Sequence, residues 1–147
     1  MTNHMNVEFE ALPENEGFAR VAAAAFVTYL NPTMEEISDI KTAVSEAVTN
    51  AVIHAYGEAG GRVVLRAFLE GTLLRLEVED FGRGIEDVEK AMEPLFTTRP
   101  DLERSGMGFA FMEAFMDGLE VESVPGKGTK VTMEKKLGST PWVEAEE

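Results

Sequence analysis

Two pairs of strand-like segments, each joined by a short glycine-containing turn, restrict the fold of this chain more than any other feature. The first pair covers residues 63–69 and 73–80, and the second covers residues 119–124 and 129–135. Short segments rich in β-branched and aliphatic residues, separated by turns of this kind, predict β-hairpins. Because the two strands of a hairpin run antiparallel, we expect a sheet whose pairings are mostly antiparallel.

Helical patterns precede these hairpins. A short strand over residues 7–11 is followed by a predicted helix over residues 14–30. Thr33 followed by Glu36 is a capping-box pattern, which predicts a second helix over residues 34–56. The first helix has one broad apolar face, whose members are Phe18, Val21, Ala22, Ala25, Phe26 and Tyr29.

The remaining segments complete a one-domain interpretation. A short helix is predicted near residues 87–92, a mobile loop over 94–105, and an apolar helix over 106–116. Helices inserted among hairpins indicate an α+β fold, a two-layer α/β sandwich with a mixed, mostly antiparallel sheet covered on one face by helices. We expect a single domain over residues 1–136 and an acidic, disordered tail over residues 137–147.

The charge balance argues against two classes of partner. The chain has 13 Lys and Arg against 27 Asp and Glu, a net charge of −14. Nucleic acids and anionic membranes are bound mainly through Lys and Arg, so we expect neither as a partner. The absence of cysteine excludes disulfides, thiolate metal sites and a cysteine nucleophile.

The distribution of apolar residues predicts a cytoplasmic location. The longest apolar run, over residues 21–27, is far shorter than the roughly 20 residues that span a bilayer. The first six residues lack the basic and then apolar pattern of a signal peptide. A soluble cytoplasmic domain is therefore expected.

The predicted second helix has two different faces. One face is an apolar core stripe made of Ile37, Ile40, Val44, Ala47, Val48, Ala51 and Ala55. The opposite face carries Glu46 and Asn50, which are four residues apart and therefore one turn apart, together with Thr49 and Ile53. A carboxylate can accept a proton and an amide oxygen suits Mg²⁺, although an ordinary solvated face has the same pattern.

Glycines follow the end of the first hairpin, in Asp80-Phe81-Gly82-Arg83-Gly84. The first three residues match the metal-binding tripeptide of eukaryotic-type protein kinases, but the other motifs of those kinases are absent. A tight glycine turn is one interpretation of this segment. The other is a site where a flat ligand approaches the backbone and Asp80 accepts a hydrogen bond from an exocyclic amine such as that of adenine.

A second glycine-bearing segment, Gly106-Met107-Gly108, opens the apolar helix. Backbone N–H groups at a helix N-terminus form a natural phosphate site. Arg99 and Arg104, in the preceding loop, are available for a polyphosphate.

The order of these motifs resembles the Bergerat-type ATP-binding fold shared by gyrase, the Hsp90 chaperones, the mismatch-repair ATPases and histidine kinases. Gly128-Thr129 supplies the last of its motifs. Residues 46–56, EAVTNAVIHAY, and residues 94–109, PLFTTRPDLERSGMGF, resemble more specifically the bacterial anti-sigma factors that are also serine kinases, above all their sporulation branch. The resemblance covers residues 5–136.

The resemblance implies a role for each matching position. Asn50 would hold the Mg²⁺ that bridges the ATP phosphates, and Glu46 would be the general base for a substrate serine. The nucleotide-binding residues would further include Asp80, Gly82, Gly84 and Thr129 around adenine, and Thr98, Ser105, Gly106, Met107 and Gly108 toward the phosphates.

Three further positions complete the residues carried over from the family. Arg104, in the loop treated as an ATP lid, would reach the γ-phosphate or a bound partner. Arg20 would contact both the sigma factor and its antagonist, although by itself it looks like an exposed helix arginine. His54 would be a helix-face histidine and not a phospho-acceptor.

The resemblance also implies the partners. A homodimer with ATP would sequester a sporulation sigma factor of the sigma F type and phosphorylate an anti-anti-sigma factor on serine, and ADP would favour holding that antagonist. Three alternatives stay open: a general-stress anti-sigma serine kinase, a nucleotide-dependent sequestering module without catalysis, and a detached histidine-kinase ATP domain.

Overall fold

A five-stranded antiparallel sheet forms one layer of the computed structural model, which describes residues 2–92 and 108–138. The strands are β1 (Thr2–Glu10), β2 (Arg62–Glu70), β3 (Leu73–Asp80), β4 (Gly118–Val124) and β5 (Gly128–Lys136). They lie in the order β1-β2-β3-β5-β4, and all four pairings between the described strands are antiparallel. Both predicted hairpins are confirmed, and the first strand begins earlier than its pattern indicated.

Helices form the second layer. They are α1 (Glu14–Phe26), α2 (Met34–Asn50), α3 (Val88–Ala91) and α4 (Gly108–Phe115). A π-helical turn over Ala51–Tyr56 continues α2 directly. Within the described ranges, no helix has both the length and the apolar character needed to cross a membrane. The predicted two-layer α+β sandwich is confirmed.

The start of α2 is fixed by the predicted capping box. The Thr33 hydroxyl accepts a hydrogen bond from the Glu36 backbone N–H at 3.0 Å, and the Glu36 carboxylate accepts one from the Thr33 N–H at 2.9 Å. Two of the otherwise unsatisfied N–H groups at the helix start are thereby bonded. The predicted helix over residues 34–56 is α-helical as far as Asn50 and π-helical beyond it.

The core lies between α2 and one face of the sheet. Most of the predicted stripe of α2 is buried there, including Ile40, Val44 and Val48 at 0% exposure. Alternate residues of the two central strands face it, namely Val63, Leu65, Ala67 and Leu69 of β2 and Leu74, Leu76 and Val78 of β3. This alternation is what a sheet covered on one face requires.

Helix α1 packs on the core through small residues and Phe26, whereas most of its predicted apolar face is exposed. Ala19, Ala23 and Ala24 are buried, whereas Phe18 is 52% and Val21 57% exposed. The large exposed side chains Phe18 and Val21, together with Tyr29 of the 3₁₀ turn Thr28–Leu30 that follows the helix, are called here the outer face of α1. Because alanine is small, its burial lets α1 and its main neighbour α2 pack closely.

The packed chain extends past the predicted start of the tail. Leu137 is 2% exposed, and its N–H donates to the Thr72 carbonyl at 2.9 Å. The Gly138 N–H donates to the Glu36 carboxylate at 3.1 Å, which ties this end of the described chain to the start of α2. The two residues after the predicted boundary at 136 therefore belong to the packed structure, and residues 139–147 lie outside the described ranges.

Candidate functional site

A cavity of about 640 Å³ lies beside the end of α2, the residues after β3, the start of α4 and the β4–β5 turn. Its lining is Ala47, Asn50, Ala51, His54, Ala55, Val78, Asp80, Arg83, Gly84, Ile85, Glu86, Asp87, Lys90, Ala91, Gly108, Phe109, Pro125, Gly126, Thr129 and Val131. Five sequence-predicted residues from four separate segments of the chain meet in it, namely Asn50, Asp80, Gly84, Gly108 and Thr129. A volume of this size is in the range of small-molecule and cofactor sites.

Asp80 is the last residue of β3 and the best-defined polar group of the cavity. It pairs with Thr129 of β5 in the sheet, and Asp80 as a whole is only 6% exposed. One carboxylate oxygen, Oδ1, accepts hydrogen bonds from the N–H groups of Gly82 at 3.0 Å and Thr129 at 3.3 Å. The second oxygen of the carboxylate, Oδ2, can accept a hydrogen bond from a ligand.

The electrostatic environment of Asp80 is divided. Burial raises the pKa of its carboxyl above the ordinary value of 3.8, because a charge is poorly solvated there. The two backbone N–H groups oppose this by stabilising the ionised form, while the nearby Glu79 charge raises the pKa further. A hydrogen-bond donor of a ligand would act in the same direction as the two backbone N–H groups and favour the ionised carboxylate.

The segment of residues 80–84, called here the Asp80 corner, is packed tightly against its neighbours. A Cβ on Gly82 would collide with the Ala55 carbonyl, and the Arg83 N–H donates to that same carbonyl at 3.2 Å. Gly84 has a φ of +76°, and a Cβ there would collide with the Val124 carbonyl. Close backbone packing therefore requires both glycines; Gly84 lines the cavity, whereas the lining formed by the described residues does not include Gly82.

A hydroxyl pair lies beside Asp80, on the neighbouring strands β5 and β4. Thr129 is 7% exposed, and its hydroxyl lies 2.8 Å from the Ser123 hydroxyl. Ser123 also accepts a hydrogen bond from the Ile85 N–H at 2.7 Å, which connects β4 to the chain just after the Asp80 corner. Ser123 was not predicted from the sequence, since a serine in a strand gives no signal of its contacts with Thr129 and Ile85.

One face of α2 supplies the opposite end of the site. Asn50 and His54 both line the cavity, and Glu46 lies one turn before Asn50 and is partly buried. The spacing of four residues places all three side chains on the same helical face. His54 was not predicted to contact a ligand, although its spacing of four residues from Asn50 would have placed it in the site.

The start of α4 also reaches the cavity. Gly108 is the first residue of this helix, and both Gly108 and Phe109 line the cavity. The positive end of the helix dipole thus adjoins the site, as a phosphate would require. The other predicted residues of this region, Thr98, Arg104, Ser105, Gly106 and Met107, lie outside the described ranges, as does the predicted loop.

The donor groups of the cavity fit a nucleotide-bound cation better than a free-standing metal site. Among the described residues, no group of three or more His, Asp or Glu side chains is placed to hold a metal ion. Mg²⁺ is commonly held by one or two protein oxygens together with phosphate oxygens and water. The amide oxygen of Asn50 suits that requirement, and Arg83 and Lys90 supply positive charge to the lining.

Arg20 lies on a different surface. Its guanidinium is 2.6 Å from the Glu16 carboxylate one turn earlier on α1. The same carboxylate oxygen accepts a hydrogen bond from the Ser45 hydroxyl of α2 at 2.9 Å. Arg20 does not line the cavity, so the structure separates this predicted partner-binding residue from the predicted nucleotide-binding residues.

Known proteins resemble this chain in sequence and in fold. Residues 9–135 match the family described as Histidine kinase-like ATPase domain. The chain is 60% identical over 137 residues to the anti-sigma F factor of Clostridium acetobutylicum, covering 93% of this chain and 96% of the relative. It is 59% identical over 136 residues to the anti-sigma F factor of Caldanaerobacter subterraneus, covering 92% and 95%.

Two solved structures share the fold at low identity. The RsbU and RsbW domains of a Mycobacterium tuberculosis protein superpose with a TM-score of 0.67 at 22% identity, covering 92% of this chain and 32% of that chain. The catalytic domain of the histidine kinase ThkA superposes with a TM-score of 0.54 at 21% identity, covering 90% and 97%. These likenesses bear on the fold alone.

Proposed function

The chain belongs to the histidine kinase-like ATPase domain family and, within it, to the anti-sigma F factors, and from this premise we propose that it is an ATP-dependent serine kinase that sequesters a sporulation sigma factor. Its protein substrate would be the anti-anti-sigma factor that competes with that sigma factor. Such partners place the proposed activity in the cytoplasm.

The observation that carries the proposal is the convergence of four separate segments of the chain on one cavity. Asp80 and Thr129 lie at one end through strand pairing, whereas Asn50 and Gly108 come from two helices. Adenine fits the first end, because its exocyclic amine can donate to Asp80 Oδ2. The phosphates fit the second end, where a helix N-terminus and an amide oxygen favour a magnesium-bound anion.

The chemistry of transfer follows from the positions on α2. The serine hydroxyl of the substrate would give its proton to the Glu46 carboxylate while its oxygen forms a bond to the γ-phosphorus. The bond from that phosphorus to the bridging oxygen breaks, and ADP leaves with the electron pair. Mg²⁺ held by Asn50 would supply charge neutralisation at the phosphates.

Catalysis of this kind depends mainly on positioning and electrostatics. A general base contributes about 10²–10⁴-fold, and the remainder comes from donors around the phosphates. The family resemblance gives that second role to Arg104, Ser105, Gly106 and Met107, and to Thr98 for nucleotide contact. These assignments rest on sequence similarity to the anti-sigma F factors.

The partner surface that we propose includes Arg20. Its side chain is 44% exposed although its guanidinium is paired with Glu16, so it is accessible to a protein partner. A homodimer is also proposed, and two features support it: the exposed outer face of α1 and the nine-residue edge strand β1 beside it. An exposed apolar patch next to an unpaired strand edge is typical of a surface that another chain covers.

The proposal is tested by incubating the purified chain with γ-labelled ATP, magnesium and a candidate anti-anti-sigma factor. The expected product is acid-stable phosphoserine on the added protein, and a substrate variant with alanine at that serine is the matched control. Acid-labile phosphate would instead indicate transfer to histidine, and nucleotide binding without any transfer would indicate a sequestering module.

A further inference from the structure

The pairing between β2 and β3 stops at the residue that defines the adenine end of the cavity. The last pair is Val63 with Asp80, and the next pair in the same register would be Arg62 with Phe81. The Tyr56 hydroxyl lies between them, accepting a hydrogen bond from the Phe81 N–H at 2.6 Å and donating one to the Arg62 carbonyl at 2.6 Å. A side chain thus occupies the place of a direct bond between the two strands.

The Tyr56 ring is held in place by its surroundings. A Cβ on Gly61 would collide with the ring, so the absence of a side chain at 61 makes room for it. The two residues that the Tyr56 hydroxyl separates also contact each other, because the Arg62 guanidinium lies 4.2 Å from the centre of the Phe81 ring. The hydroxyl therefore has little freedom to leave the gap between the strands.

The same turn of helix contacts the Asp80 corner twice. Tyr56 ends the π-helical turn that begins directly after Asn50, and the preceding residue, Ala55, accepts a hydrogen bond from the Arg83 N–H at 3.2 Å. Single π-helical turns occur frequently at functional sites. Here the turn fixes the backbone on both sides of Gly82, whose N–H in turn holds the Asp80 carboxylate.

We propose that Tyr56 is a positioning residue for base recognition. By separating β3 from β2 immediately after Asp80, its hydroxyl sets the direction in which the Asp80 carboxylate faces the cavity. This inference rests on the proposed nucleotide-binding function and deepens it, because it names a residue that controls which base the site accepts.

The selectivity follows from donor and acceptor chemistry. A fixed carboxylate oxygen accepts a hydrogen bond from the exocyclic amine of adenine. A base without that amine leaves the buried acceptor unpaired, and a base with a carbonyl at the same place brings two acceptors together. Discrimination therefore depends on how rigidly Asp80 is held, and a loosened corner lets the carboxylate turn away from the mismatch.

The experiment compares the dissociation constants of ATP and of purine riboside triphosphate, which lacks the exocyclic amine. Tyr56→Phe keeps the ring and deletes only the hydroxyl. We expect the preference of the wild-type chain for ATP to fall by about tenfold in this variant, since a lost hydrogen bond of this kind changes equilibria on that scale. Weaker binding of ATP and a smaller penalty on the purine analogue should both contribute to the change.

Thr33→Val is the matched control, because it also deletes one hydroxyl that accepts a backbone N–H, at the far end of α2. It should lower the melting temperature and leave the preference for ATP unchanged. Gly61→Ala is a second test, since the added methyl group pushes the Tyr56 ring without deleting its hydroxyl. We expect it to reduce the preference as Tyr56→Phe does.

If Tyr56→Phe lowers the melting temperature but keeps the wild-type preference for ATP, the inference is overturned. Tyr56 would then have a merely structural role. If Tyr56→Phe does not fold, a wild-type preference in Gly61→Ala overturns it equally. A wild-type chain that binds ATP without preferring it to the purine analogue would overturn the inference alone. A wild-type chain that binds neither nucleotide would overturn the proposed function as well.

Discussion

At the Asp80 corner, the backbone N–H groups of Phe81, Gly82 and Arg83 each have a hydrogen-bond acceptor within the fold, whereas on the outer face of α1 the large apolar side chains lie mostly in solvent. Several hydrogen bonds fix the backbone of the corner, and Oδ2 of Asp80 can still accept a hydrogen bond from a ligand. The outer face has few contacts and much uncovered apolar area. A site preorganised for a small ligand and a surface that awaits a protein partner are expected to differ in this way.

The cavity and the surface around Arg20 are connected through neighbouring residues of α2. Ser45 of α2 donates to Glu16, the partner of Arg20 on α1, and the next residue, Glu46, lies one turn before Asn50 in the cavity. The proposed base therefore sits between the nucleotide and the surface proposed to receive the substrate. Variants in the cavity, at Glu46 and at Arg20 should therefore separate three steps, namely nucleotide binding, phosphoryl transfer and partner binding.

The largest effect is expected from Glu46→Gln, which keeps the shape of the side chain and removes its basicity. Phosphoserine formation should fall by about 10²–10⁴-fold, the usual contribution of a general base. The dissociation constant for ATP should stay within a factor of two or so, because Glu46 is not part of the cavity lining. Single-turnover transfer and equilibrium binding measure the two quantities, and unchanged transfer would remove Glu46 as the base.

Asp80→Asn should have the next largest effect and act only on the corner. Its amide can still accept the two N–H groups through Oδ1 but would present a donor to the adenine amine. We expect ATP affinity to fall by about 100-fold, on the scale of a hydrogen bond to a charged group. Equal affinity of the two proteins would contradict the assignment of Asp80 to adenine.

The same variant has a second signature in its pH dependence. Because burial raises the Asp80 pKa above 3.8, the folded nucleotide-free chain holds this proton more tightly than the unfolded chain. The resulting stabilisation is complete below pH 3.8 and is lost as the pH rises through the raised pKa. The melting temperature of Asp80→Asn relative to wild type should therefore increase over that range, and a constant difference would contradict this account.

Arg20→Ala should weaken binding of the protein partners by roughly tenfold, since an accessible arginine of an interface contributes on that scale. Binding of ATP should be unaffected, because Arg20 does not line the cavity. Glu16→Gln is a useful companion, as it removes the charge that pairs with Arg20 and keeps an acceptor for Ser45. A loss of ATP affinity in Arg20→Ala would show that the two regions are not independent.

The smallest effect on the folded chain is expected from Val21→Ser on the outer face of α1. Val21 is 57% exposed, so stability should change by no more than about 0.5 kcal/mol. The proposed homodimer should nevertheless dissociate at higher protein concentration than wild type, as sedimentation would measure. An unchanged dimer would place the contact between two chains elsewhere, and a purely monomeric wild-type chain would rule the homodimer out.

Local signals account for the part of the fold that the sequence predicted. Alternating apolar residues and glycine turns are sufficient to predict the strands on either side of Gly71, and the capping box at Thr33 fixes where α2 begins. These features depend on residues within a few positions of one another. The grouping of Asn50, Asp80 and Thr129 in one site was predicted differently, from the family resemblance that rests on the order of the motifs along the chain.

Contacts between distant residues account for what the sequence did not predict. The orientation of α1 was not predicted, because a helical pattern gives a face but does not say whether alanines or larger residues pack inward. The Tyr56 hydroxyl meets Phe81, 25 positions later, and Ser123 meets Ile85, 38 positions earlier. Leu137 is buried through a contact with Thr72 that no local pattern indicates.

Calorimetric titration of the nucleotide-free chain with ATP and magnesium is the most direct test of the central claim that one cavity binds a magnesium nucleotide. The account predicts saturable binding at one site per chain for the wild type, and the same titration of Asp80→Asn should give a much weaker curve. No saturable heat with the folded wild-type chain, or identical curves for the two proteins, would contradict it.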